Sequence, residues 1–225
     1  NGVEVTENSL FATESRAEIK RIFNDYFRSG GFPEGASLAA KRDYLTSVYQ
    51  KIYLGDIAAR HSIENTFALR ILFRKLAESI KQPVSFTRIT NIVASTGVKI
   101  SKNTVINYME YAKDACLLIP IQNIADKLVE RETNPKYYFA DNGILNLLLL
   151  DADTSLLENL VAVTLLRRYG TDDAVFFYNF ACHGHFIQSG HIIGHLQHTL
   201  CTDEEIPIFQ ALQIKNYRSC QMPPD

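Results

Sequence analysis

Five of the six histidines lie between His183 and His198, with cysteines at Cys182 and Cys201 on either side. Cys182-x-x-His185 and His195-x-x-His198 offer two ligand pairs. Thiolate and imidazole together suit a tetrahedral zinc. The spacing matches no common zinc finger, and Gly184, Gly190 and Gly194 interrupt the segment. The rival reading is a His-rich hairpin, partly solvated, in which strand alternation sends His183 and His185 to one face. The expectation is no metal, with Cys182, His185, His195 and His198 as the alternative.

A second group is basic. Between Arg60 and Lys102 the chain has eight Lys or Arg (Arg60, Arg70, Arg74, Lys75, Lys81, Arg88, Lys99, Lys102) against two acids, Glu64 and Glu78. Local positive charge docks phosphates. Side chains at the N-terminal end of a helix, such as Lys102, Asn103 and Thr104, reach base edges when that end enters the major groove, and Asn suits adenine. The candidate nucleic-acid-binding residues are Arg88, Lys99, Lys102, Asn103, Thr104 and Asn107. Against this, Glu110 and Asp114 offset Lys113, and Tyr108 and Tyr111 suit packing. The same architecture also serves protein docking.

Nucleophilic catalysis finds no signature. There is no Gly-x-Ser-x-Gly elbow and no known cysteine-hydrolase pattern. Cys116 ends an apolar helix and is expected in the core. His61, beside Arg60, is expected at the surface or a helix end. Tyr44, Tyr49 and Tyr53 recur at helical spacing, as do Phe23, Tyr26 and Phe27. Base stacking is one use of such a series. Packing between the first two helices is the expected one. No catalytic residue is assigned.

The elements that position these groups follow from periodicity. Ile19, Ile22, Phe23, Tyr26 and Phe27 predict a helix from Ser15, with Ser15 and Glu18 as a capping box and a stop at Gly30-Gly31. Leu38, Tyr44, Leu45, Val48, Tyr49 and Ile52 predict a helix over 37–53, with a short helical turn at 56–60. A third helix covers 65–80. Ser85 precedes a short helix over 87–95, Gly97 supplies a turn, and Ser101 caps a longer helix over 102–115. Two β-prone runs follow, 117–121 and 137–140, joined by a polar loop over 126–135. Short helix, turn, longer helix and two strands is the order of a winged helix-turn-helix. Asp141 can cap a helix over 143–150, 151–154 reads as a linker, and Ser155 starts a helix to Tyr169. Residues 175–178 predict a strand, and 186–200 further short strands. A last helix over 204–214 is weakened by Pro207, and the residues after Lys215 read as a frayed tail.

Several of these segments resemble a family. Gly30-Gly31-Phe32-Pro33-Glu34, Tyr49-Gln50-Lys51-Ile52-Tyr53-Leu54-Gly55-Asp56-Ile57 and Leu76-Ala77-Glu78-Ser79-Ile80 are similar to motifs of bacterial and archaeal AAA+-type ATP-binding proteins, in their C-terminal domain of unknown function. Thr104-Val105-Ile106-Asn107-Tyr108, Lys136-Tyr137-Tyr138-Phe139-Ala140-Asp141-Asn142-Gly143 and Leu157-Glu158-Asn159-Leu160-Val161-Ala162 continue the resemblance, which covers about Phe23 to Tyr178. It implies an ATPase domain before this region. Here no Gly-x-x-x-x-Gly-Lys-[Ser/Thr] occurs, and Gly35-Ala36-Ser37-Leu38-Ala39-Ala40-Lys41 lacks the second glycine and the hydroxyl for magnesium. This segment alone is therefore not expected to hydrolyse ATP. ATP and magnesium are expected only in an upstream domain.

The resemblance also implies an end similar to the PD-(D/E)xK nuclease fold, in which a helix glutamate precedes an acidic strand. Glu158 and the strand over 175–178 fit. After Asn179 the pattern fails, because Cys182-His183-Gly184-His185-Phe186 stands where the acidic strand belongs. No carboxylate occurs between Asp173 and Asp203. Magnesium needs hard oxygen ligands, so nuclease chemistry is not expected.

Composition sets the outer bounds. The 225 residues are 46% hydrophobic, 11% aromatic and 21% charged, which excludes a disordered tail. A net charge of −2 excludes a basic coat protein, so any nucleic-acid binding is local. No apolar run approaches the roughly 20 residues that span a bilayer. No signal peptide is visible, and four dispersed cysteines read as free thiols of a cytoplasmic protein.

The expected fold is mainly α with a small β part (α+β). It has a helical region over 1–82, a winged helix-turn-helix over 83–151 and a small, inactive α/β nuclease-like end over 152–225. The expected function is the C-terminal regulatory, partner- or DNA-recognition portion of an AAA+-type ATP-binding protein. Its partners would be the missing ATPase domain and either a protein or double-stranded DNA, with no membrane. The alternatives are a stand-alone winged-helix DNA-binding regulator and a degenerate or metal-dependent nuclease.

Overall fold

A computed structural model describes residues 13–170, 175–180, 183–188 and 191–197. For 13–14 and 179–197 only the backbone is considered. The described chain is mostly helical with small antiparallel sheets, as expected for α+β.

Helix α1 (Thr13–Ser29) turns Ile19 inward and stacks Phe23 on Phe27 with ring centroids 5.9 Å apart. Ser15 lies inside this helix, so it cannot be the cap that Ser15-x-x-Glu18 predicted. The helix ends as predicted at Gly30, whose φ of +75° is a left-handed conformation that costs glycine little. A 3-10 turn (Pro33–Ser37) leads into α2 (Lys41–Gln50), which buries Leu45 and Tyr49. Leu38 precedes α2 and is exposed rather than inward.

The chain then winds into a π-helical segment (Lys51–Ala59), where an α-helical end and a separate short turn were expected. The extra residue per turn closes hydrogen bonds such as Arg60 N–H to Gly55 O. It lets Tyr53 stack on Tyr49, with centroids 5.5 Å apart, while Ile57 and Ala58 stay buried.

Helix α3 (Thr66–Glu78) is the centre of the core. Leu69, Leu72, Phe73, Leu76 and Ala77 fall at helical spacing and are all buried. Asn65 caps it by accepting the Ala68 N–H at 2.9 Å. Helix α4 (Phe86–Ala94) packs beside it, and α5 (Lys102–Asp114) packs against α4 and the π-helical segment. Strand β1 (Leu118–Ile121) pairs antiparallel with β2 (Lys136–Phe139), with Leu118 opposite Phe139 and Ile121 opposite Lys136. The connection holds a short helix, α6 (Leu128–Thr133), which the polar composition of 126–135 concealed.

Asp141 caps α7 (Asn142–Leu148) as predicted. Helix α8 (Asp153–Tyr169) begins two residues before Ser155 and lies against β2. Strand β2 is buried along its whole length. Strands β3 (Phe176–Phe180), β4 (His183–Gln188) and β5 (His191–Gln197) form an antiparallel sheet. Strand β3 also bridges in parallel to Asn123, just beyond β1. One cluster of buried apolar residues runs from Tyr49 to Phe177, across both Gln82 and Ala152. Among the described residues no helix is long and apolar enough to cross a membrane.

Candidate nucleic-acid interface

The face is built by two capped helices and a glycine turn. Ser85 accepts the Arg88 N–H at 3.2 Å and starts α4. Ser101 accepts the Thr104 N–H at 3.0 Å and starts α5. Gly97, at φ +84°, turns the chain between them, and a Cβ there would meet nothing within 4 Å. Ile89 and Val93 of α4, and Val105, Met109 and Ala112 of α5, are buried. The polar residues between them must therefore face outward.

Arg88, Lys99, Lys102, Asn103 and Asn107 are all exposed. Thr104 is half-buried, and its hydroxyl shares a 2.8 Å hydrogen bond with Ser101. The six predicted residues thus lie on α4, its turn and the first half of α5. Their charge is not neutralised internally. Arg60 pairs with Asp56, Arg74 and Lys75 with Glu78, and Lys113 with Glu110. Arg70 sits over the Phe67 ring, and Lys81 donates to Thr154. Arg88, Lys99 and Lys102 make no side-chain ion pair or hydrogen bond among the described residues.

Tyr108 is buried as expected, and burial raises its phenol above the ordinary value, helped by Tyr111. Tyr111 stacks flat on His61, with centroids 3.5 Å apart, so His61 is a half-buried packing residue. Cys116 is exposed at φ +53°, two residues beyond the helix end, and is not the core residue its apolar neighbours suggested.

Glu158 is not on the surface. It is 2% exposed, and its Oε1 accepts from Lys136 Nζ at 2.9 Å and from the Tyr138 hydroxyl at 3.0 Å. Burial and the Glu158 charge push the Tyr138 phenol well above its ordinary range. Next to it, the Asn159 side chain both accepts from and donates to the Phe139 backbone, at 2.8 and 2.9 Å, and donates to Asn142 Oδ1. This network joins α8 to β2 and α7. Sequence reading missed it, although Lys136-Tyr137-Tyr138-Phe139-Ala140-Asp141-Asn142 was visible as one block.

In the His-rich end, His185 of β4 and His195 of β5 are register partners. Cys182 and His198 lie outside the described residues, so the four alternative ligands are placed only in part. Among the described residues no group of three or more His, Cys, Asp or Glu is arranged to hold a metal ion.

The protein family described as Domain of unknown function (DUF8612) matches residues 20–169, from within α1 to the end of α8. The chain belongs to that family. It is similar to Uncharacterized protein MJ1544 of Methanocaldococcus jannaschii, with 30% identity over 173 residues, 75% of this chain and 39% of that protein. It is likewise similar to a Haemophilus influenzae protein named Uncharacterized protein, with 30% identity over 162 residues, 68% of this chain and 40% of that protein. The chain thus spans about two fifths of the length of these curated relatives. No solved structure matches it. The DUF8612 match contains all six residues of the candidate interface and the whole Lys136–Glu158 network, and it stops before β3 and the His-rich strands.

Proposed function

We propose that this chain is the recognition portion of a larger AAA+-type ATP-binding protein, and that α4, its turn and α5 dock double-stranded DNA. In this reading α4, its turn, α5 and the β1–β2 pair act as a winged helix-turn-helix. ATP and magnesium belong to a separate domain, whose nucleotide state would reorient this one. The greater length of the curated relatives is consistent with such a domain.

The observation that carries the reading is the set of Arg88, Lys99 and Lys102. Of the eight basic residues from Arg60 to Lys102, these three are exposed and unpartnered among the described residues, and all three lie on α4, its turn or the start of α5. Unpaired cations gathered at the start of a capped helix gain from phosphate what no carboxylate among the described residues supplies.

The test is duplex DNA binding by fluorescence anisotropy across a salt series. Three phosphate contacts give a log–log slope of about −2.7, from about −0.9 for each. Lys102→Glu should weaken binding to every duplex and flatten the slope by about 1. Binding that ignores salt, or a Lys102→Glu variant that binds like wild type, would overturn the docking role.

A further inference from the structure

Charge is divided along the chain, with α5 running from one sign to the other. Between Glu78 and Glu110 lie Lys81, Arg88, Lys99 and Lys102 and no acid. From Glu110 to Glu132 lie Glu110, Asp114, Asp126, Glu130 and Glu132 against Lys113, Lys127 and Arg131. Two of those bases are already engaged. Lys113 pairs with Glu110, and Arg131 turns its guanidinium onto the Ile124 and Asp126 carbonyls. Asp114, Glu130 and Glu132 are exposed and make no ion pair among the described residues. Glu110 and Glu132 both act on the Tyr137 phenol, so α6 stands on the acidic side of α5.

Each end also shows apolar surface. On α6, Leu128 and Val129 are each 74% exposed, the one adjacent pair of exposed large apolar residues among the described residues. At the basic end, Ala94, Val98 and Ile100 line an open groove between α3 and the start of α5. Lys99 lines it too, and no acid does. The two surfaces do not meet within one chain. From Lys102 to Asp114 α5 rises about 18 Å, at 1.5 Å per residue. Strands β1 and β2 tie α6 beyond the acidic end, where its apolar pair stays uncovered.

We infer that α6 of one copy of this chain docks on the groove of a second copy. Leu128 and Val129 cover Ala94, Val98 and Ile100, and Glu130 and Glu132 face Lys99 and Lys102. Charge selects the occupant, because unpaired acids flank the apolar pair and unpaired cations flank the groove. Two copies with α5 antiparallel make this contact twice and close about a two-fold axis. Lys99 and Lys102 also belong to the proposed DNA face, so self-association and DNA docking exclude each other. This last step rests on the DNA reading; the contact between copies does not.

The experiment is analytical ultracentrifugation of the full chain over a micromolar concentration series. Wild type should pass from monomer to dimer, and added salt should weaken the step. One variant carries Lys99→Glu and Lys102→Glu, the other Glu130→Lys and Glu132→Lys. Each alone should associate about tenfold or more weakly, because like charges then face each other across the contact. An equal mixture should dimerise as wild type does, since every acid again meets a base. Leu128→Ser with Val129→Ser should weaken association about tenfold through lost apolar cover. Leu150→Ser, an exposed leucine outside the contact, should change nothing. All the exchanged residues are exposed, so the fold is not at stake. A wild-type chain that stays monomeric throughout overturns the proposal. So does wild-type association in each charge variant alone, or a mixture that stays monomeric. A chain that dimerises but ignores DNA overturns the docking reading and leaves this contact standing. One that binds duplex yet never dimerises does the reverse.

Discussion

The Gly31 amide donates to Asp141 Oδ2 at 2.7 Å, joining residues 110 apart in sequence. The other carboxylate oxygen, Oδ1, accepts the Gly143 and Ile144 N–H groups at 2.8 and 3.3 Å. One side chain therefore fastens the turn after α1 and starts α7. The fit is close, because a Cβ on Gly30 would stand 2.0 Å from Asp141 Oδ1.

Asp141→Ala should lower stability by about 1–2 kcal/mol, the range for losing a good helix cap. Asp141→Asn keeps one acceptor oxygen and should cost less. Gly30→Ala should cost more than either change at Asp141, since it adds a strained positive φ to the clash. Urea denaturation reads all three as shifts in midpoint at constant slope. An Asp141→Ala midpoint equal to wild type would show that the carboxylate is not the clasp.

The buried Lys136–Glu158 pair makes a different prediction. The two residues are 3% and 2% exposed, and Lys136 Nζ also lies 5.1 Å from the Phe177 ring centroid. Removing one charge strands the other in the core, which costs about 3–5 kcal/mol. Glu158→Leu and Lys136→Met should each destabilise by about that much. The double variant should regain most of the loss, because no unpaired charge is left. Thermal and urea unfolding of the four proteins complete the cycle. Additive losses would mean that the pair is not coupled.

These two sites show what sequence can carry. Capping is local chemistry, so Ser85, Ser101 and Asp141 were readable as helix starts from their neighbours alone. The order of α4, turn, α5, β1 and β2 was readable because its periods change at Gly97 and after Ala115. Burial of charge was not readable. Glu158 looks like any helix carboxylate until β2 brings Lys136 and Tyr138 beneath it. The π-helical segment was also hidden, since Tyr49, Tyr53 and Ile57 fit α-helical spacing and packing chose the wider turn.

Alkaline pH should unfold the protein early. Burial raises the phenols of Tyr49, Tyr137 and Tyr138 above the ordinary value of 10.0. Charge adds to this, from Tyr53 on Tyr49, Glu110 and Glu132 on Tyr137, and Glu158 on Tyr138. Above pH 10 the unfolded chain loses these protons while the folded chain keeps them, so stability falls as pH rises. The stability is full below pH 10, and each tyrosine removes about 1.4 kcal/mol per pH unit above it until its own folded value is reached. Stability from urea unfolding at pH 9, 10 and 11 checks the slope. Tyr49→Phe should make the fall shallower. It should also stabilise the protein by about 1 kcal/mol at pH 7, because the Tyr49 hydroxyl is sealed without a partner among the described residues. A flat profile to pH 11 would contradict the burial of these phenols.

On the proposed docking face, charge and amide groups should separate cleanly. Arg88 is a lone exposed cation on α4, whereas Asn103 and Asn107 are exposed one turn apart on α5. If Arg88 contacts phosphate, Arg88→Ala should weaken all duplexes alike and flatten the salt slope by about 1. Asn103→Ala and Asn107→Ala remove no charge and should leave the slope intact. If either amide reads adenine, its loss should cost about 1–3 kcal/mol on duplexes with that base and nothing on others. Anisotropy titrations over a randomised duplex set measure both quantities. A uniform loss from the Asn variants would make them backbone contacts, and the α5 face would then dock DNA without reading it.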